Sequence, residues 1–117
     1  MATDDARNLE LLELLRATAD AAGAALTPDL DWSVSGGHPG QHVADVVVDD
    51  AVRSVLDPAP VGVLSEESGM DQGAHEVVVI VDPVDGSTNA SLGIPWYATS
   101  LCAVDDAGPR VALVRNL

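Results

Sequence analysis

The chain has 117 residues, 47% of them apolar, and a mean hydropathy of +0.19, which excludes a disordered linker and fits one small domain or part of a larger one. Nineteen acidic residues stand against five arginines and no lysine, so the formal net charge is −14. This charge excludes the basic surface of a nucleic-acid-binding protein and argues against binding to an anionic membrane. The longest apolar run, Val77 to Val81, is too short to span a bilayer. The lack of a secretion signal and the single cysteine, Cys102, predict a cytoplasmic protein.

Two helices are predicted in the first half of the chain. The first begins with Thr3 as its N-cap and ends before Pro28. Its apolar stripe repeats at three- and four-residue steps and consists of Leu11, Leu12, Leu15, Ala19, Ala22 and Leu26. After a glycine-rich loop at residues 31–41, a second helix is predicted from Gln41 to Leu56, although its β-branched run leaves a strand as an alternative. The apolar face of this helix consists of Val43, Val47, Val48, Val52 and Val55, with Asp45, Asp49 and Arg53 on another face.

Strands dominate the second half of the chain. Apolar runs predict strands from Val61 to Leu64 and from Glu76 to Val81. Alternating residues predict a hairpin of two further strands, Tyr97 to Val104 and Arg110 to Val114, around the turn at 105–109. The order of elements predicts an α+β or layered α/β fold, in which helices pack on a mostly antiparallel sheet.

An acidic corner follows the strand that ends at Val81. Residues 82–89 read DPVDGSTN, so Asp82 and Asp85 emerge three positions apart around Pro83, which is expected to halt the strand. Gly86 permits a close backbone approach, and the next residues open a short helix whose free N–H groups suit a phosphate. Asp-Pro and Asp-Gly are also common turn formers. Because Mg²⁺ prefers oxygen ligands shared between protein and phosphate, the corner nevertheless predicts a magnesium site.

A second acidic pair follows the preceding strand. Glu66 and Glu67 come directly after the run that ends at Leu64, and sixteen residues separate Glu66 from Asp82. That separation allows the two strand ends to lie side by side, so Glu66 is a predicted ligand. For the Glu67 side chain two roles stay equally open: it supports the metal site, or it simply faces water. The histidines share no ligand spacing and are not expected to bind zinc: His38, His42 and His75.

Three motifs in this order resemble the inositol monophosphatase family of Mg²⁺-dependent, lithium-sensitive phosphatases. DPVDGSTN matches that family's DPxDG(T/S)TN signature at every fixed position. SEES at 65–68 resembles the family's GEES, with Ser65 in place of glycine, and GIPWYATS at 93–100 resembles the strand that follows the family's site. The resemblance covers most of the chain from about Asp45 onward. It implies that residues 1–117 form the N-terminal portion of the family's layered sandwich.

The resemblance also implies a role for each matching residue. The metal ligands would be Glu66, Asp82, the Val84 carbonyl and Asp85, and the phosphate would be held at Gly86, Ser87 and Thr88. The Ser87 hydroxyl would orient the attacking water together with an acid from the second helix. Asp49 fits that position best, while Asp45 and Asp50 stay open.

The implied function is Mg²⁺-dependent hydrolysis of a small polyol phosphate, such as inositol monophosphate, by metal-activated water in a homodimer. Related phosphatases of fructose 1,6-bisphosphate, adenosine bisphosphate or histidinol phosphate are alternatives with the same chemistry. The family's further aspartate, in a downstream Trp-Asp motif, has no counterpart in these 117 residues. The chain is therefore expected to be the N-terminal portion of an enzyme, with a non-catalytic, metal-binding remnant as the alternative from another class.

Overall fold

A computed structural model describes residues 4–71 and 73–117, so the predicted N-cap at Thr3 lies outside the described residues. The helices are α1 (Asp4–Ala25), α2 (Val43–Leu56) and α3 (Ser87–Ser91). The strands are β1 (Gly62–Ser65), β2 (Gly69–Met70), β3 (Val78–Asp85), β4 (Ala98–Asp105) and β5 (Gly108–Asn116). The predicted helices and the four predicted strands are present with shifted ends, and the helix alternative for residues 43–56 is the correct one.

The described strands form a five-stranded sheet in the order β2-β1-β3-β4-β5. β1 and β3 are parallel, whereas the three other neighbouring pairs are antiparallel. The parallel register places Ser65 opposite Val81, so Glu66 and Asp82 follow at the same edge. The predicted mostly antiparallel α+β fold is confirmed, and this register is what brings the two acidic segments together.

The core lies between the helices and one face of the sheet. Its fully buried members come from α1, α2 and the strands and include Leu15, Ala19, Ala22, Val48, Val52, Leu56, Val63, Val79 and Ala103. The chain has no phenylalanine, so these aliphatic side chains supply the buried area. Burying each valine or leucine side chain contributes about 1.5–3 kcal/mol. This packing holds α2 against β1 and β3, next to the acidic strand ends.

The buried face of α2 differs from the predicted one. Asp45 and Asp49 are 1% and 3% exposed, whereas Val47 is 41% exposed. Valines and aspartates recur along this helix at similar steps, so the apolar pattern alone does not decide which stripe faces inward. Asp49 is accommodated because the Ser65 hydroxyl donates a hydrogen bond to its carboxylate. The helix therefore contributes two buried acids beside the acidic strand ends.

Pro83 does not end β3, which was the expectation from the sequence. The strand continues to Asp85, which pairs with Ala98 of β4, and the register shifts between Asp82 and Asp85. Proline has no N–H to donate, so the regular ladder is interrupted here without stopping the strand. Such irregularities redirect side chains at sheet edges. The shift therefore lies directly between the two aspartates of the motif.

The sheet face away from the helices carries exposed apolar side chains. Those more than one-third exposed on the strands are Leu64, Met70, Ile80 and Val114. Leu64 and Ile80 are direct partners in the parallel pair of β1 and β3. Across the described parts of the chain, no helix combines the length and the apolar character needed to cross a membrane.

Candidate metal and phosphate site

Three carboxylates meet just past Ser65 and Val81, the last parallel pair of β1 and β3. One carboxylate oxygen from each of Glu66, Glu67 and Asp82 lies within 4.8 Å of the other two. The structure thus brings Glu66 and Asp82 together as predicted, and it adds Glu67, whose place the sequence left open. Carboxylate oxygens are the hard donors that Mg²⁺ prefers. The group therefore offers a donor set of the type that a divalent ion requires.

Asp82 is the electrostatic centre of this group. Burial raises the pKa of its carboxyl to about 8, and the hydrogen bond with Glu66 and the charges of Glu66, Asp85 and Glu67 act in the same direction. Its Oδ1 atom is buried and has no hydrogen-bond partner. A buried oxygen without a partner is unfavourable, and a bound cation would relieve both the missing contact and the repulsion. Asp82 therefore fits a metal ligand better than a structural turn residue.

Glu67 is held by the loop that precedes α2. Gln41 Nε2 donates a hydrogen bond of 2.6 Å to Glu67 Oε2, and His38 Nε2 lies 3.3 Å from the same oxygen. Burial raises the pKa of the Glu67 carboxyl, against the opposing effect of the Gln41 hydrogen bond. The negative charges of Asp45 and Glu66 raise it further. The loop thus keeps a partly buried carboxylate among like charges.

Asp49, the preferred candidate for orienting the attacking water, is joined to β1. Its Oδ1 accepts a hydrogen bond of 2.5 Å from Ser65 Oγ, which itself accepts one of 3.1 Å from the backbone N–H of Glu67. The structure shows no hydrogen bond between Asp49 and Ser87, although both lie within the described residues. The pairing of these two side chains stays a prediction.

The alternatives to Asp49 on α2 have contrasting surroundings. Asp45 is buried, its Oδ2 accepts a 2.8 Å hydrogen bond from the backbone N–H of His42, and its Oδ1 has no partner. The charge of Asp45 reaches Glu67, whose pKa it raises. Asp50 is exposed on the opposite side of the helix from the core. Asp45 is therefore the α2 acid that has a free buried oxygen near the acidic group.

The start of α3 follows four residues after Asp82. Gly86 occupies the N-cap position with φ of +92°, a left-handed conformation, and no side chain caps the helix. The first N–H groups of a helix have no partner within it, so Ser87 and Thr88 present free donors in the predicted phosphate seat. A Cβ atom at Gly86 would lie 3.0 Å from the Trp96 carbonyl oxygen, so the close approach requires glycine. The phosphate role of these residues stays a prediction.

Two further predicted ligands are not members of the three-carboxylate group. Asp85 is exposed and lines a cavity of about 370 Å³ together with Gly86, Asn89 and Trp96. Its charge nevertheless contributes to the raised pKa of Asp82. Val84 is 4% exposed with its side chain in the core, which leaves only its backbone for the predicted role. Metal binding by these two residues stays a prediction.

Comparison with known proteins identifies the family. A family model described as the inositol monophosphatase family matches residues 11–117. The chain belongs to this family. The resemblance read from the three motifs is thereby confirmed, and the match reaches back to residue 11 within α1, a helix that the motifs do not include.

Similar proteins of the inositol monophosphatase family are about twice as long or longer. The chain is 48% identical over 59 residues to a fructose-1,6-bisphosphatase/inositol-1-monophosphatase of Archaeoglobus fulgidus, covering 50% of this chain and 23% of that protein. It is 38% identical over 72 residues to a fructose-1,6-bisphosphatase of Pyrococcus furiosus, covering 62% and 28%. The extragenic suppressor protein SuhB of Bartonella henselae superposes with a TM-score of 0.77 at 26% identity, covering 92% of this chain and 45% of that one. The chain therefore spans less than half the length of the relatives it matches.

Three residues around the inositol monophosphatase-family motifs contribute to the site but were not predicted to do so from the sequence: Gln41, His38 and Ser65. Gln41 lies 26 positions before Glu67, and no periodic pattern connects a glycine-rich loop to a strand end at that distance. Ser65 did carry a signal, since it replaces the glycine of the family motif directly before the two glutamates. Only the fold shows that its hydroxyl faces Asp49.

Proposed function

We propose that this chain forms the metal- and phosphate-binding corner of a Mg²⁺-dependent phosphomonoesterase that hydrolyses a small polyol phosphate such as inositol monophosphate. The observation that carries the proposal is the group formed by Glu66, Glu67 and Asp82, with its unpartnered buried oxygen. Membership of the inositol monophosphatase family supports a phosphate ester as the substrate. The uncapped start of α3 supports a phosphate seat beside these carboxylates.

Each residue of the corner has a defined task in this proposal. Glu66, Asp82 and Asp85 bind metal through their carboxylates, and Val84 binds it through its backbone carbonyl. Glu67 supplies a further carboxylate next to those of Glu66 and Asp82. Bound Mg²⁺ supplies positive charge that stabilises the phosphate oxygens and lowers the pKa of a coordinated water. The backbone N–H groups at Gly86, Ser87 and Thr88 hold the phosphate at the helix start.

The attacking water is oriented by the Ser87 hydroxyl and one acid of α2. Asp49 is the preferred acid for this task, and Asp45, whose Oδ1 has no hydrogen-bond partner, is the alternative. Asp49→Asn is expected to reduce turnover about 100-fold or more, because a positioned acid–base group is lost. Asp50→Asn makes the same charge change on the exposed side of α2 and is expected to leave turnover nearly unchanged.

Phosphate release tests the proposed reaction. The assay offers inositol monophosphate, fructose 1,6-bisphosphate, adenosine bisphosphate and histidinol phosphate, with Mg²⁺ or with EDTA, to this chain and to any longer polypeptide that contains it. We expect release that requires Mg²⁺ and is abolished by Asp82→Asn. Normal turnover by the Asp82→Asn variant would refute the metal assignment. The preferred substrate in the panel separates the four phosphatase alternatives.

A non-catalytic, metal-binding remnant is the second candidate. The three-carboxylate group can bind an ion without the rest of a catalytic centre, and the chain covers 45% of the solved Bartonella relative. Binding of Mg²⁺ without phosphate release from this chain or from a longer polypeptide would favour that candidate. We further propose that residues 1–117 are the N-terminal portion of a larger domain. Cytoplasmic location and homodimer formation stay predictions, and light scattering of the purified protein tests the latter.

A further inference from the structure

We propose that Gln41 and Ser65 are positioning residues that hold Glu67 within the acidic group and thereby set its affinity for a divalent cation. The inference rests on the proposed function only in requiring that the group bind such an ion. Neither Gln41 nor Ser65 is among the metal ligands that the sequence motifs predict. Their contribution follows from the hydrogen bonds that they make to the two ends of the same residue.

Like-charge repulsion makes a restraint on Glu67 necessary. Carboxylate oxygens of Glu66, Glu67 and Asp82 lie within 4.8 Å of one another, so the negative charge of this group repels the Glu67 carboxylate. A glutamate side chain at a strand end has enough rotamer freedom to turn toward water and escape this repulsion. The Glu67 side chain is nevertheless 7% exposed, so other contacts must keep it inside.

Gln41 restrains the carboxylate of Glu67 without neutralising it. Its amide donates at 2.6 Å to Oε2, and no hydrogen bond from the described residues reaches Oε1, which leaves that oxygen for a cation. Ser35 Oγ donates at 2.7 Å to Gln41 Oε1, which fixes the orientation of the amide. A Cβ atom at position 37 would lie 2.3 Å from Gln41 Oε1, so Gly37 makes room for this arrangement.

Ser65 restrains the backbone of the same residue. It is 3% exposed, and its hydroxyl accepts from the Glu67 N–H while donating to Asp49 Oδ1. The oxygen thus connects the acidic turn to α2, which is anchored in the core. Glu67 is held at its N–H by Ser65 and at its carboxylate by Gln41, with His38 Nε2 3.3 Å from the same carboxylate oxygen. Side chains that hold metal ligands in place commonly change metal affinity by 10–100-fold when removed.

Isothermal titration of the 117-residue chain with MgCl₂ tests the inference. We expect Gln41→Met and Ser65→Ala each to weaken Mg²⁺ binding by about 10–100-fold. Thr18→Val is the matched control, because Thr18 is also fully buried and its hydroxyl bonds only within α1, to the Leu14 carbonyl. We expect its affinity to stay within about twofold of wild type. Circular dichroism melts in EDTA establish that each variant is folded, and Gln41→Met carries the test if Ser65→Ala does not fold.

A double-mutant cycle separates positioning from general loosening. In a Glu67→Gln background, Gln41→Met is expected to cause no further loss of Mg²⁺ affinity, because its effect acts through that carboxylate. If the wild-type chain binds Mg²⁺ and both Gln41→Met and Ser65→Ala bind it with unchanged affinity, the inference is overturned and the proposed metal site is not. An equal loss from Gln41→Met in both backgrounds would also overturn it. A wild-type chain that binds no Mg²⁺ would instead overturn the proposed metal site, and the inference with it.

Discussion

Asp82→Asn is expected to stabilise the metal-free protein at neutral pH. The pKa of Asp82 is raised from its usual 3.8 to about 8, so between these values the folded chain keeps a proton that the unfolded chain releases. The free energy of unfolding therefore falls as the pH rises through this window. The full shift corresponds to about 6 kcal/mol at 1.4 kcal/mol per pKa unit. Because the side chain is only half-buried, solvent screening reduces the expected loss to about 1–3 kcal/mol.

Asparagine imitates the protonated carboxyl, since it is neutral and can still donate to Glu66. Urea unfolding in EDTA between pH 4 and 8.5 should therefore give similar stabilities for wild type and Asp82→Asn at pH 4. At pH 8 the variant should be more stable by about 1–3 kcal/mol. Asp106→Asn, in the exposed β4–β5 turn, controls for the loss of one negative charge. Parallel pH curves for wild type and Asp82→Asn would refute the reasoning.

Two further predictions concern the fold that supports the site. Gly86→Ala should lower the free energy of unfolding by more than Gly40→Ala, for which about 1–2 kcal/mol of left-handed strain is expected. Both positions have positive φ, but only a Cβ atom at position 86 would also meet the Trp96 carbonyl oxygen. Equal losses in thermal melts would contradict the close approach. Leu15→Ala should destabilise the chain by about 2–5 kcal/mol in urea unfolding, whereas Leu9→Ala, on the exposed side of the same helix, should change stability by less than about 1 kcal/mol. Similar losses at the two leucines would contradict the described core.

The sequence predicts the elements of this fold better than their orientation. Leu15, Ala19 and Ala22 lie on the stripe that α1 buries, because they recur at four- and three-residue steps and so share one side of the helix. In α2 the aspartates and valines alternate along the helix, and the buried position of Asp49 depends on Ser65, which lies on a strand sixteen residues away. Burial of a carboxylate cannot be derived from periodicity when its partner belongs to another element.

The acidic site could be predicted only in part, because one of its three carboxylates depends on a partner from another part of the chain. Glu66 and Asp82 each follow an apolar run, so parallel pairing of two strands suffices to bring them together. The inclusion of Glu67 depends on Gln41 in a loop without regular structure, which only the folded chain places beside it. The two-residue strand β2 also went unpredicted, because it is too short for an alternating pattern.

We expect a divalent ion to bind between Glu66 and Asp82, just past the parallel pairing of β1 and β3. A crystal of this chain grown with Mn²⁺ tests it directly, since manganese scatters anomalously and takes the same oxygen ligands as Mg²⁺. We expect an anomalous peak within about 2.5 Å of carboxylate oxygens of both residues. Well-ordered side chains with no such peak at millimolar Mn²⁺, or a peak elsewhere on the acidic surface, would contradict it.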